Sequence, residues 1–415
     1  MNCFRFAERP RHRNRARATL MFAIEIAVLL GTSALCRAQN GGRDENELMQ
    51  DAAQSMVAGN LQQAETDLKS VLHTNPREYR ALNLLGMIRA QQQRNAEAEK
   101  IFKSVVQLRP NFAGAHVNLG LLYLQMSRSD DAIAQFQEAL RIEPGRADAL
   151  GALLNTWRVE AREAVHAGDL EKALALLIQA RKASPRNPDV LYDFGIAALR
   201  MSLFPDAIEA FAGVLKIREN DANALYGLGR AQIGLGKYQD AAETFSRYAK
   251  LYPQDASGHY ALGIVLASLE KSAEARTELQ KSVELQPEQT ESYLQLGRIC
   301  VDEGDLDCAA ANFDRVLQRD PRHAEALSGM GRVSFQRKDY AKAIELLQQS
   351  IALDSSIRQA HYYLGLAYAR VGRKEDGEKE LRVASKIERD EVEQHRTILK
   401  LLDSSQDSDP VKQAP

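Results

Sequence analysis

The stretch YGLGRAQIGLG, residues 226–236, sets Gly227, Gly229 and Gly234 in a G-x-G-x4-G spacing. Glycines spaced this way let a turn wrap a phosphate, because no Cβ keeps the anion from the backbone N–H groups. Such a fingerprint occurs once or twice in a chain. Gly229 instead belongs to a column of eight: Gly86, Gly120, Gly195, Gly229, Gly263, Gly297, Gly331 and Gly365. Successive members lie 34 residues apart, apart from one gap of 75 between Gly120 and Gly195. A fixed period of that length is the mark of a solenoid, not of a nucleotide site.

Other columns keep the same step. Twelve residues beyond each glycine stands a small residue: Ala98, Ala132, Ala207, Ala241, Ala275, Ala309, Ala343 and Gly377. Four further on stands a large apolar one: Phe102, Phe136, Phe211, Phe245, Leu279, Phe313, Leu347 and Leu381. Seven of the 12 prolines share one phase: Pro76, Pro110, Pro144, Pro185, Pro253, Pro287 and Pro321. Within one period, Leu225, Leu228, Gly229 and Gln232 fall on one face of a first helix. Residues 236–238 break it, and Ala241, Phe245 and Tyr248 share a face of a second helix that Pro253 stops. Gly229 and Ala241 are small so that two antiparallel backbones can approach, with Phe245 filling the wedge toward the next hairpin. Gly234 and Gly236 belong to the turn.

These columns resemble the tetratricopeptide repeat (TPR) family. In the third repeat its pattern reads His116, Leu119, Gly120, Tyr123, Ala132, Phe136, Ala139 and Pro144, with His116 standing where the family carries a large apolar residue. The resemblance implies an all-α fold, a right-handed TPR superhelix of antiparallel helix hairpins. Ten repeats span 45–78, 79–112, 113–146, 147–187, 188–221, 222–255, 256–289, 290–323, 324–357 and 358–391. The fourth has 41 residues, read as a first helix lengthened by two turns over 146–168. Its apolar register survives because seven residues rotate a helix by only about −20°. The end repeats are atypical, with Ala52 in the glycine column and Arg389 in the proline column. A further polar helix is expected over 389–405, capping at 392–403, followed by a disordered tail over 404–415.

The family's groove positions carry over as the second, fifth, ninth and twelfth places of each repeat. They imply a partner-binding concave face of Tyr192, Asn223, Tyr226, Arg230, Tyr260, Arg298, Arg332, Phe335 and Tyr362. Tyrosine and arginine are enriched at interaction hot spots. The places matching a carboxylate clamp, among them Asn83, Met87 and Asn118, lack the lysines that mode needs.

Catalytic signatures are missing: there is no G-x4-G-K-S/T, HExxH, G-x-S-x-G or paired CxxC. His116, His259 and His361 share one early first-helix column, which makes them packing variants and not metal ligands. Two cysteines remain beyond the leader, Cys300 and Cys308, flanking the turn at 303–305. They read either as a disulfide across the hairpin or as two free thiols with Cys300 buried.

Residues 1–38 read as a signal peptide. Six arginines precede the apolar stretch 20–35, and Cys36 and Ala38 are small residues suited to cleavage before Gln39. An uncleaved anchor over 20–35 is the alternative, against which stand its length and Glu25. Residues 39–44 link this leader to the repeats. The chain's net charge is −2, and the leader's seven arginines against two glutamates leave a body near −7. An acidic body without a basic stripe argues against nucleic acid. The expectation is an exported, periplasmic or outer-envelope scaffold that binds a protein or peptide, with no catalysis, metal or cofactor. A self-assembling structural array is the alternative, and an accessory domain of a glycan-transfer or secretion system a third reading.

Overall fold

The computed structural model describes residues 44–406, with side chains through 390. The expected leader and the end of the tail, residues 407–415, lie outside the described residues. Among those described there are twenty α-helices and no strand. They fall into two compact units divided between Met201 and Ser202.

The first unit holds α1 (Glu45–Val57), α2 (Leu61–Thr74), α3 (Tyr79–Gln91), α4 (Asn95–Leu108), α5 (Ala113–Gln125), α6 (Ser129–Ile142), α7 (Ala147–Ala167), α8 (Leu170–Ala183) and α9 (Pro188–Arg200). The second holds α10 (Phe204–Ile217), α11 (Ala222–Gly234), α12 (Tyr238–Leu251), α13 (Ala256–Ser268), α14 (Ser272–Leu285), α15 (Thr290–Asp302), α16 (Leu306–Arg319), α17 (Ala324–Gln336), α18 (Tyr340–Leu353), α19 (Arg358–Arg370) and α20 (Lys374–Gln406). Within each unit the helices pack in sequence as antiparallel pairs, α11 on α12, α13 on α14 and so on.

One hairpin shows how the sequence specifies this. The Asp221 side chain accepts from the Ala224 N–H and starts α11. The helix closes through Gly236, whose φ of +75° lets the turn take a left-handed residue. The same turn recurs with Gly59, Gly168, Gly304 and Gly372, but also with Gln93, Ser127, Ser202, Glu270 and Lys338 at φ of 57–66°. Tyr238 opens α12, and Pro253, two residues beyond its end, cannot continue it.

The crossing is tight. A Cβ on Gly229 would stand 2.5 Å from Cζ of Phe245, and one on Gly120 would stand 2.6 Å from Cε1 of Phe136. The large apolar column therefore lies on the glycine column of its own hairpin. Phe313 also reaches the next one, its ring lying between Gly297 and Gly329. Gly234 differs from expectation: it ends α11 against the Phe204 ring, and Gly236 alone takes the left-handed turn.

Two elements depart from the regular length. The fourth repeat's first helix, α7, has 21 residues, against 13 in α3 or α5. Ala161, Ala164 and Trp157 along it are buried. At the other end no separate capping helix forms. The tenth repeat's second helix runs unbroken for 33 residues, past Arg389 in the proline column. Residues 404–406, expected in the tail, belong to this helix.

Candidate peptide-binding face

The first helices of the second unit sit side by side, α15 against α17 and α17 against α19. Their exposed faces are joined by one cluster. Asp302, last residue of α15, holds Nη1 of Arg332 on α17 at 2.7 Å. The Arg332 guanidinium lies 5.4 Å over the Tyr363 ring of α19, worth about 0.5–1 kcal/mol at a partly exposed site. Phe335 packs against Tyr363 at 5.7 Å and Tyr340 at 5.6 Å. Tyr362 meets Tyr363 edge-on at 5.2 Å and leaves 43% of its own surface exposed. Arg298, four residues before Asp302, is exposed and pairs with no side chain among the described residues.

The remaining groove positions do not behave as one set. Asn223 is exposed and Arg230 half-buried. Tyr226 and Tyr260 keep only 9% and 8% of their surface exposed. Tyr226 stacks edge-on to Phe245 at 5.5 Å and Tyr248 at 5.7 Å. Burial pushes its hydroxyl up to about 12, against the pull of Arg230. The Tyr248 hydroxyl donates to Asp255 at 2.5 Å and is likewise pushed up by burial. Tyr226 and Tyr260 thus offer a partner little of their surface. Tyr192 is half-buried on α9, in the first unit. The structure brings Arg332, Phe335 and Tyr362 together and adds Asp302 and Tyr363, which the column pattern did not single out.

In the first unit the corresponding positions turn inward. Asn118 donates to Asn83 at 3.1 Å, and Asn83 lies 3.9 Å from the Met87 sulfur, with both amides buried. The lengthened α7 is tied to α9 by Arg158, which reaches Asp193 at 2.6 Å and Asp189 at 3.5 Å. Burial pushes the Asp193 carboxyl up, while Arg158 and Arg162 draw it back.

The three column histidines are buried and bonded at both ring nitrogens. His259 meets Glu278 at 2.6 Å and the Pro253 carbonyl at 3.2 Å. His361 meets Glu380 at 2.6 Å and the Ser355 carbonyl at 3.1 Å. His116 meets Gln135 at 2.9 Å and the Pro110 carbonyl at 3.1 Å. Each ring pins the end of the preceding repeat to its own second helix. Among the described residues no group of three or more His, Cys, Asp or Glu is placed to hold a metal ion, and no helix is long and apolar enough to cross a membrane. Cys300 and Cys308 are joined by a disulfide with their Cα atoms 5.8 Å apart.

A tetratricopeptide repeat family model matches residues 56–115, 158–224, 192–256, 226–290, 260–324, 294–356 and 339–387, and a second such model matches 89–155. The chain belongs to the tetratricopeptide repeat family. No curated protein matches this TPR chain. Solved structures similar to it include YrrB, described as a TPR protein with an unusual peptide-binding site, at 26% identity over 44% of this chain and 95% of that one, with a TM-score of 0.39. The Cut9–Hcn1 assembly of the APC/C is similar at 13% identity over 83% and 87%, with a TM-score of 0.42. Yeast Tom70 is similar at 13% identity over 88% and 97%, with a TM-score of 0.38. At these scores the family models, and not the structural neighbours, decide what the TPR chain is.

Proposed function

We propose that this TPR protein is a non-catalytic scaffold of the cell envelope that binds a segment of a protein partner along the first helices of its second unit. The observation that carries the reading is an exposed Arg298 on α15, without a side-chain partner among the described residues, together with the interlocked cluster of Arg332, Phe335, Tyr362 and Tyr363 on α17 and α19. A side chain already held in place by neighbours loses little rotamer freedom on binding, so its contacts count more toward affinity. Tyrosine and arginine are also the side chains that supply hot spots. Export rests on residues 1–38, whose arginine-rich start and apolar stretch read as a signal peptide. The test is capture from envelope fractions with the intact chain and with an Arg230→Glu/Arg298→Glu variant. Loss of the captured partner with unchanged helicity supports the reading. Unchanged capture contradicts the site, and recovery of the chain from the cytosol contradicts the location.

A further inference from the structure

The two sulfurs of the eighth repeat lie in opposite surroundings. Cys300 is completely buried with Leu294, Val301 and Phe313. Cys308 is partly exposed in the first turn of α16, its own N–H held by the Asp305 side chain at 3.1 Å. Two donors converge on its Sγ: Arg276 Nη2 from α14 at 3.4 Å and Asn312 Nδ2 at 3.5 Å. Arg276 is oriented by Glu303 at 3.1 Å and Asp305 at 3.7 Å. Asp307, the other acid beside Cys308 in sequence, pairs with Arg337.

We propose that Cys300–Cys308 is a thiol–disulfide exchange site that reacts through Cys308 with small thiols and disulfides of the glutathione class. Exchange requires a thiolate to reach one sulfur and displace the other. Only Cys308 is reachable. An incoming thiolate bonds to Cys308 Sγ, the Cys300–Cys308 bond breaks, and Cys300 leaves as a thiolate that takes a proton. A second thiolate attacks the incoming sulfur of this mixed disulfide and frees Cys308, giving two thiols and one small-molecule disulfide. In the oxidising direction the Cys308 thiolate attacks the small-molecule disulfide and expels one thiolate. Cys300, once deprotonated, then attacks Cys308 Sγ and expels the second. Cationic and hydrogen-bonding neighbours favour thiolate over thiol. Arg276 and Asn312 stand at Cys308, and nothing comparable stands at Cys300.

The test uses the full chain, reduced and then exposed to oxidised glutathione, quenched in acid and mapped by mass spectrometry. In wild type the disulfide re-forms. Cys300→Ser takes one glutathionyl group on Cys308, at least tenfold faster than Cys308→Ser takes one on Cys300. Adding Arg276→Met to Cys300→Ser slows the modification several-fold, and Arg276→Lys restores most of it. Equal rates at the two cysteines, a wild-type pair that stays reduced, or an Arg276→Met variant that is fully helical and unslowed would each overturn the proposal. If Arg276→Met loses helicity, the comparison of the two single-cysteine variants decides alone.

Discussion

Gly229 and Phe245 fit so closely that a single methyl group on the glycine would overlap the ring, with 2.5 Å between the added carbon and Cζ. The relationship explains a pattern across the repeats. Five glycines of the column precede a phenylalanine sixteen residues on, and three precede a leucine. Where alanine stands instead, at Ala52 and Ala161, the residue sixteen on is Leu68 or Leu177, all four buried. Phenylalanine never stands opposite alanine in this column.

Gly229→Ala is therefore expected to destabilise the second unit by about 1–3 kcal/mol, the usual cost of an overpacked core. Gly229→Ala/Phe245→Leu should recover part of that loss, reproducing the pairing of Ala52 with Leu68. Denaturant titration of the four members of the cycle measures the coupling. Additive losses would show that the ring and the glycine do not share the space.

The turn column gives the opposite sign. Glu270 and Lys338 hold φ of 60° and 66° where Gly236 and Gly304 serve other repeats. The left-handed region costs a residue with a Cβ about 1–2 kcal/mol, and glycine forfeits about 0.5–1 kcal/mol in chain entropy. Glu270→Gly and Lys338→Gly should each stabilise by up to about 1 kcal/mol, read as a rise in thermal midpoint. A fall in midpoint would mean that the side chains contribute more than the backbone strain costs.

Asp67 lies in the column where Gln135, Glu278 and Glu380 meet a histidine, but the residue nineteen before it is Leu48. It is 4% exposed, and its Oδ2 has no hydrogen-bond partner. Repeats two and nine carry Ile101 and Leu346 in this column. Asp67→Leu should stabilise the first unit by about 1–2 kcal/mol by removing an unsatisfied buried oxygen. Lower stability in chemical denaturation would show that Asp67 has a partner in solution.

Glu65 ties α2 to α3. Both terminal guanidinium nitrogens of Arg89, Nη1 and Nη2, reach it at 2.7 Å, Lys69 adds a further ion pair at 2.7 Å, and together they hold the carboxyl at about 2 instead of 4.5. A carboxylate held low in the folded state stabilises above its ordinary pKa, and that stability drains away as pH falls from 4.5 toward 2. After discounting for solvent at this half-open site, Glu65→Gln should cost about 1–2 kcal/mol at pH 7. The gap to wild type should close across that acid window. A gap independent of pH would assign the loss to packing.

The fold was legible because each repeat restates the same constraint. Gly229, Ala241, Phe245 and Pro253 form columns, and a column averages away the noise of any single position. The site was legible only in part. The column rule placed Tyr226 and Tyr260 on the groove, but Phe245 and Tyr248 cover most of Tyr226, and that depends on what the neighbouring column carries. Asp302 and Tyr363 escaped because their role arises across three helices meeting at Arg332, a juxtaposition that no spacing within one repeat encodes. The unbroken α20 shows the reverse case: the proline column is empty at Glu219, Ser355 and Arg389 alike, yet only the helix that reaches Arg389 runs on, so the column alone did not reveal it.

The most direct test of the scaffold reading is site-specific photo-cross-linking in the native cell. A photoreactive residue is placed at Arg298 or Tyr362 on the first helices, and at Glu243 or Gln349 on exposed second-helix positions. The expected result is an envelope protein cross-linked from 298 and 362 and not from 243 or 349. Cross-links confined to the second-helix positions, or only to further copies of this chain, would contradict it.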